Sequence, residues 1–285
     1  TMIQSLKTIK NRIRSTENTE KVTAAMEMVS VAKLNKSEKS LLAIRPFVLN
    51  LDSIIRNLIG SEPLSTHTFL EPKIQTDRIC LCVITSDSGL CGVYNNEVIR
   101  KAESFINSYG REKTGLVCVG RKGFNYFKKN NFKVTNAYVG LNGRFSDKVC
   151  VEIMNDLTEP FISGKVSQVY ICYTHFKTAL VCEQKVEKFL NIECDSQNKT
   201  NYILEPNKDL ILNEILPKFI SMKLRLIILE SFTAEHSSRT VAMKAATDNA
   251  KELLQGLILL RNKVRQANIT QEILEIISSS EALKG

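Results

Sequence analysis

Apolar residues at the start of the chain recur in steps of three, four or seven: Ile3, Leu6, Ile9, Ile13, Thr16, Thr23, Met26 and Val29. That spacing places them on one narrow face of a helix. The positions between them are polar, among them Lys7, Lys10, Arg12, Arg14, Glu17 and Glu20. No glycine precedes Gly60, and Pro46 is the only breaker. The pattern predicts a helix over 2–58, with a kink or change of course near Ile44 to Pro46. The apolar steps resume at Leu51, Ile54, Ile55 and Leu58.

Residues 61–77 carry Ser61, Pro63, Ser65, Thr66 and Pro72 close together after Gly60, a connector composition. An alternation follows. Arg78 to Thr85 reads as a strand rich in Ile, Val and Cys, and Asn95 to Tyr109 as a helix. Gly115 to Val119 is a strand and Lys122 to Asn130 a short helix. Phe132 to Val139 is a strand, Lys148 to Ile162 a helix, Val166 to Tyr173 a strand and Ala179 to Phe189 a last strand. Strands alternating with helices argue for a parallel-type α/β sheet.

Residues 209–283 are helical again. Pro217 sits near the start, where a helix tolerates it, and Gly256 is the one glycine before Gly285. At 1.5 Å per residue such an element is on the order of 110 Å long, more than one globular core needs. Its predicted seam is small at first (Ala234, Ser237, Ser238, Ala242, Ala245, Ala246, Ala250). It then enlarges, through Leu253, Leu257, Leu260 and Val264 to Ile273, Leu274, Ile276 and Ile277. Two long helices at opposite ends of one chain satisfy such seams by pairing, and the domain between them makes the pairing antiparallel. The fold class is therefore α/β: a Rossmann-like α/β domain over 61–208, inserted between terminal helices over 1–60 and 209–285 that pair as an antiparallel coiled coil. No internal repeat of solenoid length is present.

Composition adds three constraints. The net charge is +9, and over half of the excess lies in residues 1–60. A basic end suits an acidic protein surface or nucleic acid, or is simply a solvated helix face. No recognition module, stacking pattern or zinc spacing accompanies it, which argues against nucleic acid. No apolar run is long enough to cross a bilayer. The eight cysteines fall largely in strand-like runs without a CxxC pair, so they read as buried free thiols in a reducing compartment, with no regulatory disulfide expected. The first residue is Thr1, which suggests a removed leader or a trimmed start.

Candidate chemistry is sparse. Ser86-Asp87-Ser88-Gly89-Leu90-Cys91-Gly92 lies between a strand and a helix, where a glycine loop can hold phosphate. It matches neither the dinucleotide nor the P-loop spacing, and a tight strand-to-helix turn accounts for it. Cys91 with His175 or Asp87 would make a thiol dyad only if the fold brought them together. His236, between Glu235 and Arg239, reads as a polar contact on a helix face. No metal-ligand spacing is present, and no cofactor is expected. Glu230, Glu235, Arg239, Lys244 and Asp248 read as solvated helix pairs. Arg265-Gln266 and Thr270-Gln271-Glu272 form a dense polar group late in the helix, which must meet water or a partner.

Three separated motifs carry a family resemblance. The first is Asn11-Arg12-Ile13-Arg14-Ser15 followed by Lys21 to Leu34. The second is the loop Ser86 to Gly92. The third joins Glu235-His236, Arg239 and Val241 to Ala250 with Arg265-Gln266-Ala267, Ile269 to Glu272 and Glu275-Ile276. Together they resemble the γ subunit of F-type ATP synthases, in order along the whole chain. The family usually has Arg where Ser88 stands and often Gly where Val93 stands. The cysteine-bearing insertion of chloroplast members is not visible.

The resemblance implies a central rotor shaft without an active site of its own. It implies as partners three α and three β subunits, ε- or δ-type small stalk subunits and the membrane c-ring. Met26, Arg265, Gln266, Thr270, Gln271 and Glu272 would be the residues that meet the catalytic subunits. The setting it implies is the matrix side of the mitochondrial inner membrane, or else the cytoplasmic side of a bacterial plasma membrane. Two other readings stand beside it. One is a nucleotide-binding α/β enzyme with helical arms, which would need a phosphate loop or acid–base pair within 78–190. The other is a coiled-coil scaffold holding nucleic acid on its basic arm, with a steep salt dependence.

Overall fold

The computed structural model describes residues 6–60, 67–71, 76–192 and 208–282. Ile3, Cys194 and most of the expected connector lie outside the described residues. The chain divides into two compact units, Thr1–Val29 with Thr240–Gly285, and Ser30–Arg239. The element order is α1 (Leu6–Gly60), β1 (Ile79–Ile84), α2 (Tyr94–Tyr109), β2 (Thr114–Val119), α3 (Arg121–Lys129), β3 (Val134–Tyr138), α4 (Asp147–Ile162), β4 (Gln168–Phe176), β5 (Cys182–Leu190) and α5 (Lys208–Ala282). Pro46 and Pro217 both stand inside their helices.

In the unit formed by 30–239 the sheet order is β3-β2-β1-β4-β5. β1 pairs in parallel with β2 and β4, and β2 with β3. The helices α2, α3 and α4 supply the crossovers that parallel neighbours require. β5 is antiparallel to β4, because only a short turn separates them.

The period-two alternation of the strands sorts the core into two faces. Leu81, Val83, Leu116 and Cys118 point to one face and pack with Val98, Ala102 and Ile106 of α2 and Phe127 of α3. Cys80, Cys82, Ile84, Val117 and Val119 point to the other, against Ile153 and Leu157 of α4. The same cluster takes in Val48, Ile55 and Leu58 of α1 and Leu216, Ile220 and Phe232 of α5. The inner parts of the two long helices are thus part of the sheet domain's core. This explains why β1 is buried at every position and reads as a continuous apolar run.

Candidate functional site

In the unit formed by 1–29 and 240–285, α1 and α5 pair antiparallel. Ile9 and Ile13 are buried with Leu257. Further along α1, Thr23 meets Thr247, whose hydroxyl donates to it at 2.9 Å. Within 30–239 the pairing has the same sense: the Ser37 and Thr233 hydroxyls lie 2.7 Å apart, and Arg45 donates to Glu230 at 2.8 Å. On α1 covered or half-covered positions recur at Ile9, Ile13, Thr16, Glu20, Thr23 and Glu27, and then, within 30–239, at Ser30, Leu34, Ser37 and Leu41, with Glu17, Ala24, Met26, Lys33 and Glu38 half-covered beside them. The recurring positions follow alternating steps of four and three, the heptad spacing of a coiled coil.

This stepping corrects several sequence expectations. Val29 is 57% exposed and Ser30 is buried in its place. On α5 beyond residue 239 the buried positions are the expected Ala250 and Leu257 together with Met243 and Thr247, whereas Ala245 is exposed and Leu253 and Leu260 face out. Ala242 and Ala246 are half-buried. A face that follows 3.5 residues drifts away from one extrapolated at 3.6. Ile273, Leu274, Ile276 and Ile277, assigned to the seam by periodicity, are 51%, 58%, 67% and 54% exposed. From Arg265 to Ser280 every residue is exposed.

The six residues marked by the resemblance stand as follows. Met26 is half-buried beside the seam. Arg265, Gln266, Thr270, Gln271 and Glu272 are exposed on α5. Thr270 donates to the Gln266 carbonyl at 3.0 Å, and Gln271 to Glu275 at 3.0 Å. Both contacts stay within the helix, so the outer faces of these side chains are presented to solvent. Val22 and Met28 on α1 and Leu253 and Leu259 on α5 add exposed apolar surface, of the kind that marks an interaction site when it is extensive.

The loop Ser86 to Gly92 is a clamp on α5. The Asp87 carboxylate accepts backbone N–H groups from Arg121 at 3.0 Å, Gly140 at 2.9 Å and Asn142 at 2.7 Å. Arg239 donates to the carbonyls of Ser88 and Gly89 at 3.3 and 3.4 Å, and to Glu235 at 2.8 Å. His236 Nε2 meets the Gly143 carbonyl at 2.9 Å. Gly143 has φ +66°, and a Cβ there would lie 2.5 Å from the His236 ring, so the close approach requires glycine. Burial pushes the Glu235 carboxyl up, partly offset by the Arg239 charge. Burial, with Arg239 and Lys33 nearby, pushes His236 down to about 4 against its bond to Gly143.

Within the loop, Asn95 accepts from the Ser86 backbone N–H at 2.9 Å and donates to Ser86 Oγ at 2.8 Å and Cys91 Sγ at 3.1 Å. His175 instead meets Glu230 at 2.6 Å. Cys91 and His175 therefore take different partners, and burial raises the thiol. Glu230, Glu235 and Arg239, read from the sequence as solvated, are buried at 3%, 2% and 7%. Sequence reasoning missed the clamp because most of its acceptors and donors are backbone groups. Among the described residues no group of side chains could hold a metal ion, and no helix is long and apolar enough to cross a membrane.

A family model described as ATP synthase matches residues 5–283. The ATP synthase gamma chain of Chloroherpeton thalassium is 35% identical, covering 98% of each chain. That of Geotalea uraniireducens is 35% identical over 99% of each. Among solved structures, the central stalk and c-ring of the Tetrahymena thermophila mitochondrial ATP synthase contains a chain 23% identical. That match has TM-score 0.60 and covers 79% of this chain and 99% of the other. The rotor of the Euglena gracilis mitochondrial ATP synthase gives TM-score 0.65 at 15% identity, covering 93% and 98%. The structural likenesses carry the fold: a sheet domain between two long paired helices.

Proposed function

The chain belongs to the ATP synthase gamma-chain family, and on that premise we propose that it is the central-stalk rotor of a proton-driven ATP synthase. It holds no active site of its own. Its paired helices turn inside a ring of three α and three β subunits, and its sheet domain stands on the c-ring beside ε- or δ-type small subunits. Proton flow turns the foot. The helices favour different β conformations at different angles, and that differential affinity is what couples rotation to catalysis.

The observation that carries this reading is the run Arg265 to Ser280, exposed throughout and rich in apolar side chains. A helix that pairs tightly up to Leu257 and then presents Ile273, Leu274, Ile276 and Ile277 outward fits a surrounding sleeve. Co-purification with three α and three β subunits tests the assembly. Recovery of the chain free of them, under conditions that keep the catalytic ring intact, would overturn it.

The mitochondrial inner membrane, on its matrix side, is the location we favour, because the matching solved rotors are mitochondrial. The bacterial relatives favour the cytoplasmic side of a plasma membrane instead. Immunolabelling of fractionated source cells separates the two. We further propose the division into 1–60, 61–208 and 209–285 as the sequence-level domains, with Met26, Arg265, Gln266, Thr270, Gln271 and Glu272 as the contacts to the catalytic subunits.

A further inference from the structure

Within 30–239, a cavity of about 450 Å³ lies where α1 and α5 meet strands β4 and β5. That volume is in the range of small-molecule sites, roughly 300–1,000 Å³. Its walls combine charged groups with the apolar side chains of Leu49 and Leu226.

The acids of this cavity are already neutralised from inside it. Glu230, buried at 3%, takes Arg45 at 2.8 Å and His175 Nδ1 at 2.6 Å. Glu187 takes Lys223 at 2.7 Å and the Tyr173 hydroxyl at 3.0 Å. Asp52 takes Arg56 at 2.6 Å. Lys185 differs. Its nearest carboxylate among the described residues is Glu183 at 3.9 Å, and Glu183 already holds Lys177 at 2.8 Å. The cavity therefore carries surplus positive charge. Leu49, 59% exposed, and half-buried Leu226 give an apolar surface beside that charge, over the buried ring of Phe219. Recessed walls of low dielectric strengthen the attraction of such a site for an anion relative to open water.

We infer that this cavity is a binding site for a small organic anion with an apolar body, its charge held by Lys185 and its body laid on Leu49 and Leu226. A bare inorganic anion would leave the apolar wall unused. A cation would find every carboxylate taken. A ligand here would touch the Arg45–Glu230 pair that ties α1 to α5, and so would act on the helix pairing itself.

The test titrates the full chain with 8-anilinonaphthalene-1-sulfonate, followed by fluorescence and calorimetry. Saturable binding of one molecule per chain is expected. Lys185→Glu, at a partly exposed position, weakens it by about tenfold or more, and Lys185→Met by several-fold. Lys129→Glu, exposed on α3, leaves it unchanged. Circular dichroism confirms that each variant is folded. Binding without saturation, or a loss equal for Lys185→Glu and Lys129→Glu, overturns the inference, since either would mean non-specific adsorption. Binding unchanged in Lys185→Glu overturns it equally.

Discussion

Thr247 donates its hydroxyl to that of Thr23 at 2.9 Å, and Thr23 passes the bond on to the Thr19 carbonyl of its own helix at 3.0 Å. A polar pair inside an apolar seam fixes register, because sliding either helix leaves a covered hydroxyl without its partner. The neighbouring seam residue Ala250 is buried, and Ala245 is exposed.

Close packing at the seam predicts a sharp contrast. Ala250→Phe overfills the seam and costs roughly 1–3 kcal/mol, whereas Ala245→Phe stays within about 0.5 kcal/mol of the parent. Thr247→Val removes the bond at constant shape and costs about 1 kcal/mol. Denaturant unfolding measures all three. Thr23→Cys with Thr247→Cys should cross-link within one chain; only intermolecular dimers would sink the antiparallel pairing.

The clamp predicts an acid-sensitive step. His236 is held below its ordinary 6.5, at about 4, so the folded state favours the neutral ring. Its contribution is complete above about pH 6.5 and is lost as pH falls toward 4, because the unfolded chain binds the proton first. The loss is up to about 3 kcal/mol. Glu235, raised by burial, works the other way: the folded state takes up its proton first, which offsets part of the loss. His236→Asn should flatten the fall in stability across this window, and Glu235→Gln should steepen it. Unfolding curves at about pH 7 and about pH 4.5 decide. An unchanged slope in both variants rules the clamp out as its source.

Thiol chemistry should be nearly silent in the native chain. Burial raises Cys80, Cys118 and Cys172 to about 12 and Cys150 to about 11. The thiolate is the reactive form, so these groups are inert at neutral pH. Among the described cysteines, half-buried Cys182 should label first with a thiol-specific disulfide reagent. Mild reduction should leave the activity of the assembled complex unchanged. A reversible redox response abolished by replacing one of the buried cysteines would contradict this.

The long helices were legible because glycine and proline are scarce in both, and the sheet because its strands are short apolar runs between helical periods. The seam was only partly legible: Ile9, Ile13, Thr23, Ala250 and Leu257 were found, and others were not. Val29, Ala245, Leu253 and Leu260 are apolar and near the right phase but are exposed; heptad stepping keeps the expected Ala250 and Leu257 and adds Ser30, Met243 and Thr247. Polarity misleads here, since a hydroxyl with a partner across the seam is as well placed as a methyl. Arg239 and Asp87 were illegible for a different reason. Their partners are largely backbone groups of loops distant in sequence, and a backbone N–H looks the same under every side chain.

The coupling contact yields the last prediction. On a helix of 3.6 residues per turn, Arg265 and Glu272 share a face, Gln266 and Thr270 lie to one side of it, and Gln271 lies about 120° round on the other side. One partner loop therefore cannot touch all five at once. As the shaft turns, each face should meet a given β subunit at a different angle. Arg265 offers five donors in a fixed fork, suited to a carboxylate on that subunit. Arg265→Ala should lower proton pumping more than ATP hydrolysis, and adding Glu272→Ala should change little, because both alter the same face. Adding Gln271→Ala should lower the ratio further, because it acts at another angle. Met26→Lys should also couple poorly, by placing a charge where the half-buried thioether lies. The exposed substitutions should change the stability of the chain by less than about 0.5 kcal/mol, so loss of assembly is not the cause. The measurement is the ratio of pumping to hydrolysis in sealed membranes. If pumping and hydrolysis fall in proportion in every variant, these residues set turnover and not coupling. If neither falls, the group is only a solvated face.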